Sequence, residues 1–262
     1  MFFIDTHCHL NFETFDQRIE PVIHNALKNG VTCIVVPGVD LASSEKAVRL
    51  AQKYENVFSA VGVHPSDQKG YDRNQFNLFI DLAKEQKVVA IGEIGLDYYH
   101  HPETELRQIF VLEQMLELAQ ITEKPIILHS RNALPSLIEK IFDWKKVIDK
   151  KGLGLSGVFH AFEGNSDHVE TILKMNFFIG IGGPVTYQNA IQKQALIREI
   201  GLNHVVLETD SPFLSPHPYR GHENEPARIP IIAQKVADLL ELPIAEVAEK
   251  TSANAQLLFR ME

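Results

Sequence analysis

Cysteine is nearly absent: Cys8 and Cys33 are the only two in 262 residues. That excludes a disulfide framework and a cysteine-rich zinc module, and it suits a reducing compartment. No apolar run approaches the ~20 residues of a membrane span. Asp5 interrupts the N-terminus after Met1–Ile4, which leaves no signal-peptide apolar region, so a cytoplasmic protein without membrane contact is expected. Positive charge is also short, with 25 Lys and Arg against 34 Asp and Glu, a formal net charge of −9. That argues against a broad basic surface gripping a duplex. A nucleic-acid end held through cations is not excluded, because two bound ions can make a cleft locally positive. No Gly-rich dinucleotide loop follows the first apolar run, and no linker, repeat or low-complexity stretch divides the chain.

What is present is alternation. Short β-branched runs are expected as strands at Phe2–Asp5, Thr32–Val36, Val57–Val61, Val88–Ile91, Ile126–Leu128, Leu155–Phe159, Phe177–Gly180 and His204–Leu207. Stretches with helical apolar spacing lie between them, such as Leu106–Gln120, with further helices over Ile229–Leu240 and Pro243–Leu258. Asn29-Gly30 and Gly201 read as helix stops. Eight strand–helix alternations predict an α/β fold with a parallel sheet. Closure into a TIM-like (β/α)8 barrel, which typically needs about 250 residues, is the favoured topology, and an open doubly wound sheet is the alternative. The span 1–262 is read as one domain, and a monomer is expected.

Polar residues with metal-ligand chemistry fall at the ends of these strands. His7 and His9 form a His-x-His pair after the first strand, and side chains two apart share one side of a strand. Cys8 then points to the core layer as a small apolar residue. Glu93 follows the fourth strand between Gly92 and Gly95, and a carboxylate can bridge two cations with its two oxygens. His129 ends the fifth strand, His160 the sixth and Asp210 the eighth. Each alone has an ordinary structural explanation. Together they converge on one rim if the barrel closes, at the edge where barrel active sites sit. Imidazole with carboxylate and no thiolate suits Zn, Mn, Fe, Co or Ni, and Mg less well. Two divalent ions are expected: one on His7, His9 and Asp210, the other on His129 and His160, with Glu93 between them. Water between such ions is acidified and becomes a nucleophile, and Asp210 can take its proton. His64, Asp97, Arg131 and Arg220 are candidates for substrate binding, the arginines by a bidentate phosphate grip. The Pro-rich stretch Ser211–Pro226 is long enough to form a wall or lid. No function is assigned to His24, His168 or His204, and His100 and His101 lie in a loop.

In order, Asp5-Thr6-His7-Cys8-His9-Leu10, Gly92-Glu93-Ile94-Gly95-Leu96-Asp97-Tyr98, His129-Ser130-Arg131 and Glu208-Thr209-Asp210-Ser211-Pro212-Phe213-Leu214 resemble the TatD family of metal-dependent deoxyribonucleases. Arg220-Gly221 and Asn224-Glu225-Pro226 are similar to a loop of that family, and the likeness runs from Ile4 to about Phe259. The histidine pair is shared with the wider amidohydrolase superfamily. The resemblance implies a TIM-type barrel, metal roles for His7, His9, Glu93, His129, His160 and Asp210, and hydrolysis of DNA phosphodiester bonds from an end. Two positions depart from the family pattern. Asn11 stands where an Asp is usual, and Ala161-Phe162-Glu163-Gly164 stands where Cys-Phe-Ser-Gly is usual. Glu163 places negative charge near a phosphate site and bears on substrate preference. Two other readings are a superfamily hydrolase of a carboxyl ester, lactone or amide, and a non-catalytic metal-binding scaffold. Many amidohydrolases use a carbamylated Lys as the bridge, whereas here Lys124 precedes the fifth strand.

Overall fold

The computed structural model describes residues 1–261. Eight strands form one parallel sheet in the order of the chain: β1 Phe3–Asp5, β2 Val31–Pro37, β3 Val57–Val61, β4 Val88–Asp97, β5 Ile126–Arg131, β6 Gly157–Phe159, β7 Phe178–Ile181 and β8 Val205–Leu207. The crossover helices are α1 Ile19–Lys28, α2 Leu41–Lys53, α3 Phe76–Ala83, α4 Glu105–Thr122, α5 Leu134–Lys150, α6 Ser166–Lys174 and α7 Ile191–Ile200. α8 Ile229–Leu240 and α9 Ile244–Phe259 follow the last strand. No helix among the described residues is long and apolar enough to cross a membrane.

Each strand contributes one buried apolar side chain to the inner cluster, namely Ile4, Val35, Ala60, Ala90, Ile127, Val158, Phe178 and Val206. Small residues on β3 and β4 face larger ones on β5 and β7, so the interior is filled and is no pore. Fully burying a side chain of the Val, Ile or Phe class contributes about 1.5–3 kcal/mol. α9 plugs one end of this interior with Ala255, Leu258 and Phe259. Its Asn254 amide bonds the carbonyls of Leu202 and Val205 at 2.7 and 2.8 Å, and its Ser252 hydroxyl reaches the Phe2 carbonyl. These carbonyls belong to strand starts, so the strand ends at the opposite mouth are left for chemistry.

The sheet closes between β8 and β1 by irregular bonds. Thr6 N–H donates to the Leu207 carbonyl at 3.0 Å, Asp210 N–H to His7 at 2.8 Å and His9 N–H to Ser211 at 2.8 Å. The buried Asp5 carboxylate fastens the same seam, accepting from the Thr209 amide at 2.9 Å and its hydroxyl at 2.6 Å. Burial nonetheless pushes the Asp5 carboxyl up to about 8, although the Thr209 and His7 donors favour its ionised form.

Two strands, β4 and β5, run well past the end of their apolar runs. β4 was expected to stop at Ile91, yet it continues to Asp97, where Ile94–Asp97 pair residue by residue with Leu128–Arg131 of β5. Glu93 therefore lies within a strand, and His129 lies inside β5, not at its end. Between Ile91 and Ile94 the pairing advances three residues on β4 for two on β5. This is a β-bulge at Gly92-Glu93. Ala90 faces the barrel interior while Ile91 and Ile94 both face the helices. Strict alternation would send Glu93 outward with Ile91; the extra residue turns it inward, with its N–H bonded to the Gly38 carbonyl at 2.8 Å. Downstream, Gly95 has a φ of +150°, and a Cβ there would collide with the His129 carbonyl. A bare backbone lets β4 and β5 approach where they carry Glu93 and His129.

Candidate metal centre

The mouth of the barrel gathers the other five expected ligand residues about Glu93. Its carboxylate is buried and its two oxygens face different partners. Oε2 lies 3.2 Å from His7 Nε2 and 3.6 Å from His9 Nε2. Oε1 lies 2.9 Å from His129 Nδ1, 3.0 Å from His160 Nε2 and 3.6 Å from His64 Nε2. Asp210 Oδ1 completes the first group at 3.4 Å from His9 Nε2 and 3.7 Å from His7 Nε2. Among the described residues the donor atoms form three compact triads: His7, His9 and Glu93; His7, His160 and Asp210; and His64, Glu93 and His129.

Local structure explains the convergence. His7 and His9 extend beyond β1 and are held by the seam to Ser211 and Asp210. Cys8 between them is fully buried in the apolar core, as expected. β6 stops at Phe159 and β8 at Leu207, where the apolar runs were expected to end, so His160 and Asp210 lie just beyond their strands. Asp210 has a left-handed φ of 55° and Ala161 one of 44°. Such conformations cost of order 1–3 kcal/mol and persist where surrounding bonds hold them. Here the Asp210 amide bonds His7, and the Ala161 amide donates to Glu208 Oε1 at 2.5 Å.

The electrostatics follow from crowding charge in a buried space. Burial alone would raise the Glu93 carboxyl, but His160, His64 and His7 hold it well below the usual range. Burial likewise opposes ionisation of Asp210, which its bond to His9 and the charges of His160 and His7 keep low. His7 is pushed down by burial and by His160, whose ring stacks on it at 3.9 Å. His64 falls to about 3 through burial and the neighbouring His129. For His160, burial is outweighed by Glu93 and Glu208, which drive it well up. The His7 and His9 Nε2 atoms sit only 3.2 Å apart and face the same two carboxylate oxygens. Imidazole lone pairs and ionised carboxylates gathered this closely, with no thiolate, are the donor set of a divalent cation.

Two further acids stand behind the histidines. Asp97 is buried, with Oδ2 3.5 Å from His129 Nε2 and 2.7 Å from His100 Nδ1. Its other oxygen accepts from the amides of Tyr99 and His100. Burial would raise this carboxyl, but His129 and His100 hold it far below its ordinary range. Asp97 was expected to bind substrate; its carboxylate is instead bonded to His100 and the Tyr99 amide and stands 3.5 Å from His129 Nε2, which has no hydrogen-bond partner among the described residues. Glu208 is buried with its Oε1 3.6 Å from His160 Nδ1, and a Cβ at Gly180 would intrude on its carboxylate. Glu208 and Asp5 went unassigned in the sequence; each lies two residues before a candidate ligand, and that spacing was the available signal. His64 was expected to contact substrate but stands against Glu93 with the ligand candidates. Arg131 and Arg220 lie at the rim, Arg131 bonded to Glu163 and Arg220 over the Tyr187 ring at 4.5 Å. His24 is exposed on α1, and His100 is tied to Asp97.

Acids that fix the far nitrogen of a ligating imidazole raise its basicity, and losing one typically costs 10–100-fold in metal affinity or activity. Glu208→Gln is accordingly expected to weaken metal binding by about 10–100-fold, read by competition with a fluorescent chelator. Unchanged affinity would show that Glu208 serves only the loop at Ala161.

The family model described as TatD related DNase matches residues 4–260. The chain is 35% identical to YabD of Bacillus subtilis, described as an uncharacterized metal-dependent hydrolase, over 98% of each chain. It is 33% identical to Escherichia coli YcfH, of the same description, covering 100% of this chain and 97% of that one. Among solved structures it superposes on YjjV, a TatD homolog from Escherichia coli, with a TM-score of 0.92 at 29% identity, covering 99% and 98% of the two chains.

Proposed function

The chain belongs to the TatD related DNase family of metal-dependent hydrolases, and from that premise we propose that it is a deoxyribonuclease that removes nucleotides from a single-stranded DNA end. The observation that carries the reading is the division of the Glu93 oxygens between two sets of imidazoles. That division suits two divalent ions, Zn, Mn or Mg. His7, His9 and Asp210 would hold one, His129 and His160 the other, with Glu93 shared; His64 can join the second set. Bound there, the ions supply Lewis acidity to the ester oxygens and lower the pKa of water. Asp210 stays ionised at neutral pH and accepts the proton of the attacking water. Asp97 and Glu208 stand 3.5 and 3.6 Å from the far ring nitrogens of His129 and His160, where they would orient the rings once metal is bound. Arg131 and Arg220 bind phosphate on either side of the scissile bond.

A carbamylated lysine is not needed in this arrangement. Lys124 bonds the Val88 carbonyl at the start of β4, away from the ligand-bearing mouth, and Glu93 would take the bridging role. That favours a phosphodiester over the lactones and amides cleaved by lysine-bridged hydrolases. The test is degradation of end-labelled single-stranded DNA after chelation and re-addition of Zn, Mn or Mg. Activity should vanish on chelation and return with at least one cation. Turnover of lactones or amides without turnover of DNA would reverse the assignment.

A further inference from the structure

Arg131 does not stand free at the rim. Its Nη1 lies 2.6 Å from Glu163 Oε2, its one side-chain hydrogen bond among the described residues. Its guanidinium lies over the Tyr99 ring at 5.2 Å. The pair joins the tops of β5 and β6, with Arg131 two residues beyond His129 and Glu163 three beyond His160. Glu163 and His160 line the same cavity of about 500 Å³, together with Ser130 and Phe162. The Ser130 hydroxyl there is buried without a partner among the described residues. Both members of the ion pair remain partly exposed, at 41% and 56%, and pairs so exposed are weak and readily exchanged.

A carboxylate and a phosphate compete for the same planar fork of an arginine. We propose that Glu163 is a specificity-determining residue, an internal anion that pairs with one prong of the Arg131 fork until a singly charged phosphodiester displaces it. Once displaced, the carboxylate stays beside the bound group and repels a second negative charge. The protein thus selects diesters with a hydroxyl end over dianionic phosphate and phosphorylated ends. This rests on the placement of Arg131 at the phosphate, and the experiment separates the two ideas.

Inorganic phosphate is titrated calorimetrically into the metal-loaded protein, its Glu163→Gln variant, and both again in an Arg131→Ala background. Removing the internal anion is expected to tighten phosphate binding about five- to tenfold. The difference between Glu and Gln should disappear without Arg131. In parallel, kcat/KM is measured on oligonucleotides with hydroxyl and with phosphate ends. The unmodified protein should favour the hydroxyl end by a similar factor, and Glu163→Gln should erase that preference. Equal phosphate affinity with and without the Glu163 carboxylate overturns the inference. So does an effect that survives removal of Arg131. Tighter phosphate binding in a protein that cleaves no oligonucleotide would sustain the role of Glu163 and dismiss the nuclease reading.

Discussion

Glu93→Gln should reduce hydrolysis by at least about a thousandfold, because it removes the charge shared by both halves of the centre while preserving shape. Metal ions contribute several kcal/mol to such reactions, and each 1.36 kcal/mol is a factor of ten. The neutral amide cannot offer two anionic oxygens, and its NH2 would point a donor at one set of imidazoles. Glu93 now meets His7 at 3.2 Å on one side and His129 at 2.9 Å on the other. Metal content, measured by mass spectrometry on the purified variant, should fall together with kcat. The fold should persist, since Glu93 is surrounded by polar rings at the mouth and the apolar interior lies below it. A variant that keeps full metal content and normal turnover would refute the shared-carboxylate geometry.

The second large effect is expected at Asp210. Asp210→Asn should lower kcat by about 10²–10⁴-fold, the range attributed to a positioned general acid or base. Asp210 also offers an oxygen 3.4 Å from His9 Nε2, so some metal affinity should be lost as well. Pre-loading with saturating cation separates the two roles. A pure ligand defect is rescued by excess metal, whereas loss of the proton acceptor is not. The carboxyl is held below its ordinary range, so it remains ionised as pH falls through that range. Activity of the unmodified protein should therefore lack an acid limb near pH 4, and a limb above that belongs to the histidines or to the metal-bound water. Full rescue of the variant by excess cation would remove Asp210 from proton transfer and leave it as a ligand only.

Much of this architecture is legible in the chain because it is written in periodicity. All eight strands and the helices after them follow from apolar spacing, and Val57–Val61 and Ile229–Leu240 coincide with the observed bounds. The ligand candidates were legible because polar residues at the ends of buried strands are conspicuous. Where the reading fell short, the cause is contact made far along the sequence. The glycines of Gly92–Asp97 look like strand breakers, and only pairing with β5 makes them strand. Asp97 looks like a rim acid until His129 and His100 close on it. The supporting role of Glu208 depends on the Ala161 loop, 47 positions away. Spacing alone cannot reveal such pairs.

The bulge in β4 carries a lesson for anyone transplanting this centre. Strand residues are counted in twos, and at Gly92 the count changes phase, so that Ala90 and Glu93, three apart, both look into the ring. A designer who copied the ligands onto a regular barrel strand at the same spacing would bury the carboxylate among the helices. The hiccup in rhythm must be grafted along with the side chain it redirects.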